Sequence, residues 1–159
     1  CAITAPDRVR RVALLSAVHR RDDAASAAVR ARAAEIAAGN VDPIAPLSRW
    51  FGDESSGSEP YRLVKDWLAA VDVEAYATAY GAFAEGDVLF ADRWSGVTCP
   101  ALFLTGEHDP NSTPQMSIDL ATAAPNGEAC IIADHRHMVN MTAPDEVTAA
   151  LRHWLTRKV

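Results

Sequence analysis

Two short stretches hold most of the residues capable of chemistry, Gly106-Glu107-His108-Asp109-Pro110 and Asp134-His135-Arg136-His137-Met138. Each follows an apolar run, so each has the form of a loop leaving a buried strand. A carboxylate on one loop and an imidazole on the other can meet when the two strands are neighbours. An acid that accepts the Nδ1 proton of a histidine fixes its tautomer and stabilises the imidazolium, leaving Nε2 to act as general base toward a nucleophile. Asp109 is the candidate acid, and His135 and His137 are the candidate bases.

The elements that must position these loops can be read from the apolar pattern. Continuous apolar runs at 9–17, 101–106 and 129–133 predict three buried parallel strands. Between the first two lies a helical stretch. Asp22 or Asp23 serves as N-cap and Gly39 as C′ residue of one helix, Pro60 opens another, and a third runs from about Asp72 to Ala84. The polar segment 52–59 reads as a loop. Asn111 or Ser112 is the expected cap of a helix with Pro114 in its first turn, and Thr142-Ala143-Pro144-Asp145 has the form of a capping box before a terminal amphipathic helix. Strands alternating with helices give an α/β protein with a parallel sheet, whose cleft opens beyond the C-terminal ends of the strands. Both loops lie there.

Composition restricts the class of function. The 159 residues are 49% hydrophobic and 23% charged, the balance of a soluble globular domain. The net charge is -6 and the basic residues are scattered, which argues against a nucleic-acid or anionic-membrane surface. No apolar run approaches the roughly 18 residues of a membrane span. Cys1, Cys99 and Cys130 are odd in number and lack zinc-site spacing, so neither a disulfide framework nor a structural metal is expected. The location expected is cytoplasmic, and Cys99 and Cys130 read as small buried hydrophobes.

The run Leu104-Thr105-Gly106-Glu107-His108-Asp109-Pro110, followed 28 positions after Asp109 by His137-Met138 and then by Pro144-Asp145, resembles the C-terminal half of the α/β-hydrolase superfamily. Pro6-Asp7-Arg8-Val9 before the first strand is similar to the segment that follows the nucleophile helix in those proteins, and Arg49-Trp50-Phe51 is similar to the enol-lactone hydrolase and esterase group. The resemblance implies an α/β-hydrolase fold, a parallel core sheet with a helical lid, lacking here its N-terminal strands and nucleophile elbow. It divides the chain into core at 1–18, lid at 19–95 and C-terminal core at 96–159. It also makes Asp109 the triad acid and His137 the triad base, with His135 a pocket or surface histidine. His108 beside Asp109 offers a metal-ligand pair, but the triad role already occupies Asp109. No metal and no cofactor are expected.

The sequence departs from the family in two ways. Arg136 stands before the histidine where a small residue is usual, and no G-x-S-x-G elbow occurs. Cys1 cannot replace the elbow nucleophile, because only four residues separate it from Pro6, whereas a helix of about 11–12 residues belongs there. The expectation is therefore a nucleophile upstream of Cys1, with the start at Cys1 arising from proteolysis, maturation through an acyl shift, or deliberate truncation. A lone three-stranded parallel sheet leaves an open apolar edge, so a second chain carrying the N-terminal half is the expected partner. Trp50, Phe51, Trp67, Tyr76, Tyr80, Phe83, Phe90 and Trp94 are the aromatics available to a pocket. Of these, Trp50, Trp67, Tyr76 and Tyr80 are taken with Met138 as substrate-binding candidates, and Arg49 or Arg62 as partners for a substrate carboxylate. The expected activity is hydrolysis of a small-molecule ester, lactone or related carbonyl bond. Acyl transfer by the same triad and a non-catalytic ligand-binding protein are the alternatives.

Overall fold

Three apolar runs form one parallel sheet in the computed structural model, which describes residues 1–42 and 44–158. In chain order the strands and α-helices are β1 (Val12–Leu15), α1 (Asp23–Ala37), α2 (Ala45–Phe51), α3 (Glu59–Ala69), α4 (Val73–Leu89), β2 (Ala101–Gly106), α5 (Pro114–Ala123), β3 (Gly127–Ile132), α6 (Val139–Thr142) and α7 (Pro144–Leu155). The chain divides into two units, Cys1–His19 with Phe90–Val159, and Arg20–Leu89.

In the first unit the sheet order is β1-β2-β3, with Leu15 opposite Leu104 and Gly106 opposite Ile132. Central β2 is buried along its whole length, as a strand covered on both faces must be. Its side chains alternate between two apolar layers. Leu102 and Leu104 pack with Val139 of α6, Ala143 between the two helices, and Val147 and Trp154 of α7. Ala101 and Phe103 pack on the opposite face with Val97, Leu120 and Ala124. Full burial of Leu102, Phe103 and Leu104 stabilises the unit by roughly 1.5–3 kcal/mol for each side chain. Trp94 stands edge-on to Phe103 with ring centroids 5.2 Å apart, which is why the segment after Phe90 groups with the sheet although its composition resembles the helical stretch. Cys99 and Cys130, which read as small buried hydrophobes, pack against the two layers and are half-buried.

The second unit is helical throughout. Asp22 caps α1 by accepting from Ala25 N, and Gly39 follows the helix with φ +85°, a conformation glycine adopts without strain. α1 packs along α4. Arg21 and Asp87 form a buried ion pair at 2.9 Å, with each side chain only 4% exposed, and the guanidinium lies 4.3 Å from the Phe83 ring centre. α2 packs on α3, where Phe51 meets Tyr61 edge-on at 5.6 Å.

Two expected caps fall elsewhere. Thr113, not Asn111 or Ser112, caps α5 by accepting from Met116 N. The backbone N–H groups of Asn111 and Ser112 are instead taken by Asp109. Ala143 is the residue before α7 and offers no capping side chain, while Thr142 is engaged with His135 and Met138.

Candidate active site

β2 ends in Thr105 and Gly106, and the next three residues bring Asp109 back under the strand end. Asp109 is buried, with its side chain wholly unexposed, and its carboxylate has four neighbours able to donate. Oδ1 accepts the backbone N–H groups of Asn111 at 2.8 Å and Ser112 at 2.9 Å, a turn that aspartate closes readily. Oδ2 lies 3.0 Å from Thr105 Oγ1 and 2.8 Å from His137 Nδ1. Burial alone pushes the Asp109 carboxyl up. The hydrogen bond and charge of His137, with the two backbone N–H groups, outweigh burial and hold it below the usual carboxylate range. An ionised carboxylate only accepts, so Nδ1 of His137 carries the proton and Nε2 is the basic nitrogen.

The loop that carries His137 is tied to the acid loop by main-chain bonds. Glu107 N donates to Ile132 O at 2.9 Å and His108 N to His135 O at 2.8 Å. Glu107 Oε2 accepts from Asp134 N at 3.0 Å, and Asp134 turns the chain with φ +59°, a region that aspartate tolerates better than most residues. The loops come so close that a Cβ on Gly106 would collide with the carbonyl oxygens of His135 and Arg136. Glycine is required there by space. His135 Nδ1 lies 2.9 Å from Thr142 Oγ1, so of the two candidate imidazoles it is His137 that meets the acid.

No family model matches the sequence. A protein of Acinetobacter baylyi named (E)-2-((N-methylformamido)methylene)succinate hydrolase is 47% identical over 154 residues, which is 97% of this chain and 59% of that protein. The structure of the enol-lactonase from Burkholderia xenovorans LB400 matches with TM-score 0.81 and 27% identity, covering 98% of this chain and 60% of the other. A thermophilic esterase from Thermogutta terrifontis matches with TM-score 0.81 and 24% identity, covering 97% and 58%. The fold is that of the α/β-hydrolases. The chain spans about three fifths of the length of the relatives it matches and carries the C-terminal part of their fold.

Within this α/β-hydrolase fold, Asp109, His137 and half-buried Met138 share the sheet-bearing unit. Trp50, Trp67, Tyr76 and Tyr80 belong to the helical unit. There Tyr76 and Tyr80 stack edge-on at 5.8 Å and Tyr80 meets Phe83 at 5.5 Å. Burial, with a contribution from Tyr80, pushes the Tyr76 phenol up. Trp67 is 59% exposed, Trp50 is half-buried, and Phe51 is a core residue of its unit at 2% exposure. Arg49 and Arg62 are exposed. Glu107, His108 and Asp134 place ligand atoms within 4.8 Å of one another, all exposed. Such acidic groupings are common without a metal, and the Glu107 carboxylate already accepts from Asp134 N. No helix among the described residues is long and apolar enough to cross a membrane.

Three residues around the pair were not read as part of the site: Thr105, Ser112, which reads as a helix cap, and Ser16. Thr105 and Ser112 stand four before and three after Asp109, a local signal that a buried carboxylate needs donors close by. Ser16 has no sequence signal, because it reaches the site only through strand pairing.

Proposed function

We propose that this chain supplies the acid and the base of a hydrolase that cleaves an ester, lactone or related carbonyl bond. His137 Nε2 takes the proton of a serine or cysteine nucleophile contributed by an upstream segment or a second chain, then returns it to the leaving group. Asp109 holds the imidazole in the required tautomer and stabilises its charged form, and backbone amides of the nucleophile-bearing part bind the oxyanion. The observation that carries this reading is the 2.8 Å bond between His137 Nδ1 and a carboxylate whose side chain has no exposure, while the imidazole retains 23%. An acid sealed beneath a base that stays reachable is the order a nucleophile requires. The names of the relatives, a hydrolase of a substituted succinate and an enol-lactonase, support a carbonyl substrate. The helical unit serves as the lid, with Trp50, Trp67, Tyr76 and Tyr80, together with Met138, selecting the substrate.

The test is hydrolysis by the complete protein of the substituted succinate named for the relative, an enol-lactone and a short-chain ester. At least one should turn over, and His137→Ala should lower kcat by roughly 10³-fold or more. Unchanged turnover in that variant would refute the assignment.

We further propose that the outer edge of β1 pairs with a strand of the nucleophile-bearing part. Support comes from the edge position of β1 among the described residues, the 37% exposure of Leu15 at its end, and the share of its relatives that the chain spans. Residues 1–159 expressed alone should self-associate or lack cooperative unfolding. A monodisperse, cooperatively folding monomer would overturn this pairing.

A further inference from the structure

At the C-terminal end of β1, Ser16 joins both loops of the acid–imidazole pair. Its backbone N–H donates to Leu104 O at 2.7 Å, extending the pairing of β1 with β2 by one residue. Its carbonyl accepts from Ser112 Oγ at 2.7 Å. Its own hydroxyl donates to the main-chain carbonyl of His137 at 3.0 Å. Ser112 N in turn donates to Asp109 Oδ1, and Asp109 Oδ2 accepts from His137 Nδ1. The five residues Leu104, Ser112, Asp109, His137 and Ser16 are thus linked by hydrogen bonds, four of them in a closed ring.

Ser16 comes from a distant part of the chain, 121 positions from His137 and 96 from Ser112. Ser16 also has φ +48°, in the left-handed region that favours glycine. A serine held in that conformation costs more backbone energy than glycine would, and strain of this kind gathers where a site needs a fixed geometry. The ring accounts for the serine, because glycine would satisfy the backbone but leave the His137 carbonyl without its donor.

We infer that Ser16 is a positioning residue, which fixes the main chain at His137 relative to Asp109 by tying both loops to the end of β1. This inference rests on the proposed roles of Asp109 and His137. Misplacing a catalytic group by an ångström costs as much as 10²-fold in rate, and without the Ser16 hydroxyl the main chain at His137 loses its hydrogen bond to the end of β1.

The decisive variant is S16G in the complete protein. Glycine relieves the positive φ, so the melting temperature should equal or exceed that of the wild type. Despite this, kcat should fall roughly 10- to 100-fold with KM within about twofold. The wild type should show a low-field proton resonance for His137 Nδ1–H, which should broaden or vanish in S16G. S112A, which removes only the tether to the Ser16 carbonyl, should change the resonance in the same direction and provides a second reading where S16G folds poorly. Wild-type kcat with an unchanged low-field proton in S16G would overturn the inference and leave the proposed function standing, provided H137A is inactive. A lost resonance in S16G alongside full activity of H137A would sustain the positioning role while refuting the proposed function.

Discussion

Replacing Asp109 separates its structural role from its chemical one. In Asp109→Ala the four donors around the carboxylate lose their acceptor. Thr105 can still turn to the Ser112 carbonyl at 2.8 Å, but the N–H of fully buried Ser112 has no alternative and that of Asn111 has only partial access to water. An orphaned buried donor costs about 1–3 kcal/mol, so the two together give a destabilisation of about 3 kcal/mol. In the complete protein that lowers Tm by roughly 6–12 °C. Asp109→Asn keeps Oδ1 and both backbone bonds, and Thr105 can accept from the new amide, so its cost is about 1 kcal/mol. The amide nevertheless presents N–H to Nδ1 of His137 and forces the wrong tautomer, for which the expected loss in kcat is about 10⁴-fold. The pH dependence has a definite sign. The Asp109 carboxyl is held below its ordinary range, so its stabilisation is complete above about pH 4 and is lost as pH falls through the folded value. The gap in Tm between the wild type and Asp109→Asn should therefore narrow on acidification. Thermal unfolding from pH 2 to 7, read beside kcat for both variants, checks each step. Equal melting temperatures for the Asn and Ala variants, or an Asn variant within about tenfold of wild-type kcat, would refute the reasoning.

Gly106→Ala places a methyl group against the carbonyl oxygens of His135 and Arg136, main-chain atoms with no rotamer to escape into, and should cost about 3 kcal/mol and lower kcat together with Tm. A variant of wild-type stability would show that the two loops can separate freely. In the helical unit, Asp87→Ala strips the buried Arg21 guanidinium of its carboxylate and should destabilise by about 3–5 kcal/mol. Differential scanning calorimetry should show that loss, and a change below about 1 kcal/mol would mean the pair is solvated in solution.

Much of this architecture was legible because single residues carry strong local signals. Asp22 and Gly39 bracket α1, and the apolar run at 101–106 is β2 to the residue. Strand-end loops in a parallel sheet converge, which put Asp109 near the two loop imidazoles; the family resemblance chose His137 between them, and it is His137 Nδ1 that lies 2.8 Å from Asp109 Oδ2. The caps of α5 and α7 were misread for one physical reason: a side chain that can cap a helix can also serve a neighbouring group. The Ser112 hydroxyl goes to the Ser16 carbonyl, Thr113 directly precedes α5 and caps it, and His135 engages Thr142. β1 is shorter than its apolar run because pairing with β2 begins only at Val12, opposite Ala101. Ser16 was unreadable, since its three hydrogen bonds are to residues that only tertiary structure brings near.

The strand pairings differ in how far apart their partners lie along the chain. Ala101 and Gly127, paired across β2 and β3, are separated by 26 positions, whereas Val12 and Ala101, paired across β1 and β2, are separated by 89. For an unstructured loop the longer closure costs about 1 kcal/mol more in chain entropy. The βαβ segment that brings Asp109 and His137 together is therefore the easier closure, and the Ser16 tether is the harder one. The helical unit lies within the longer closure, so order gained inside it shortens the effective loop and lowers the cost of forming the Ser16 tether.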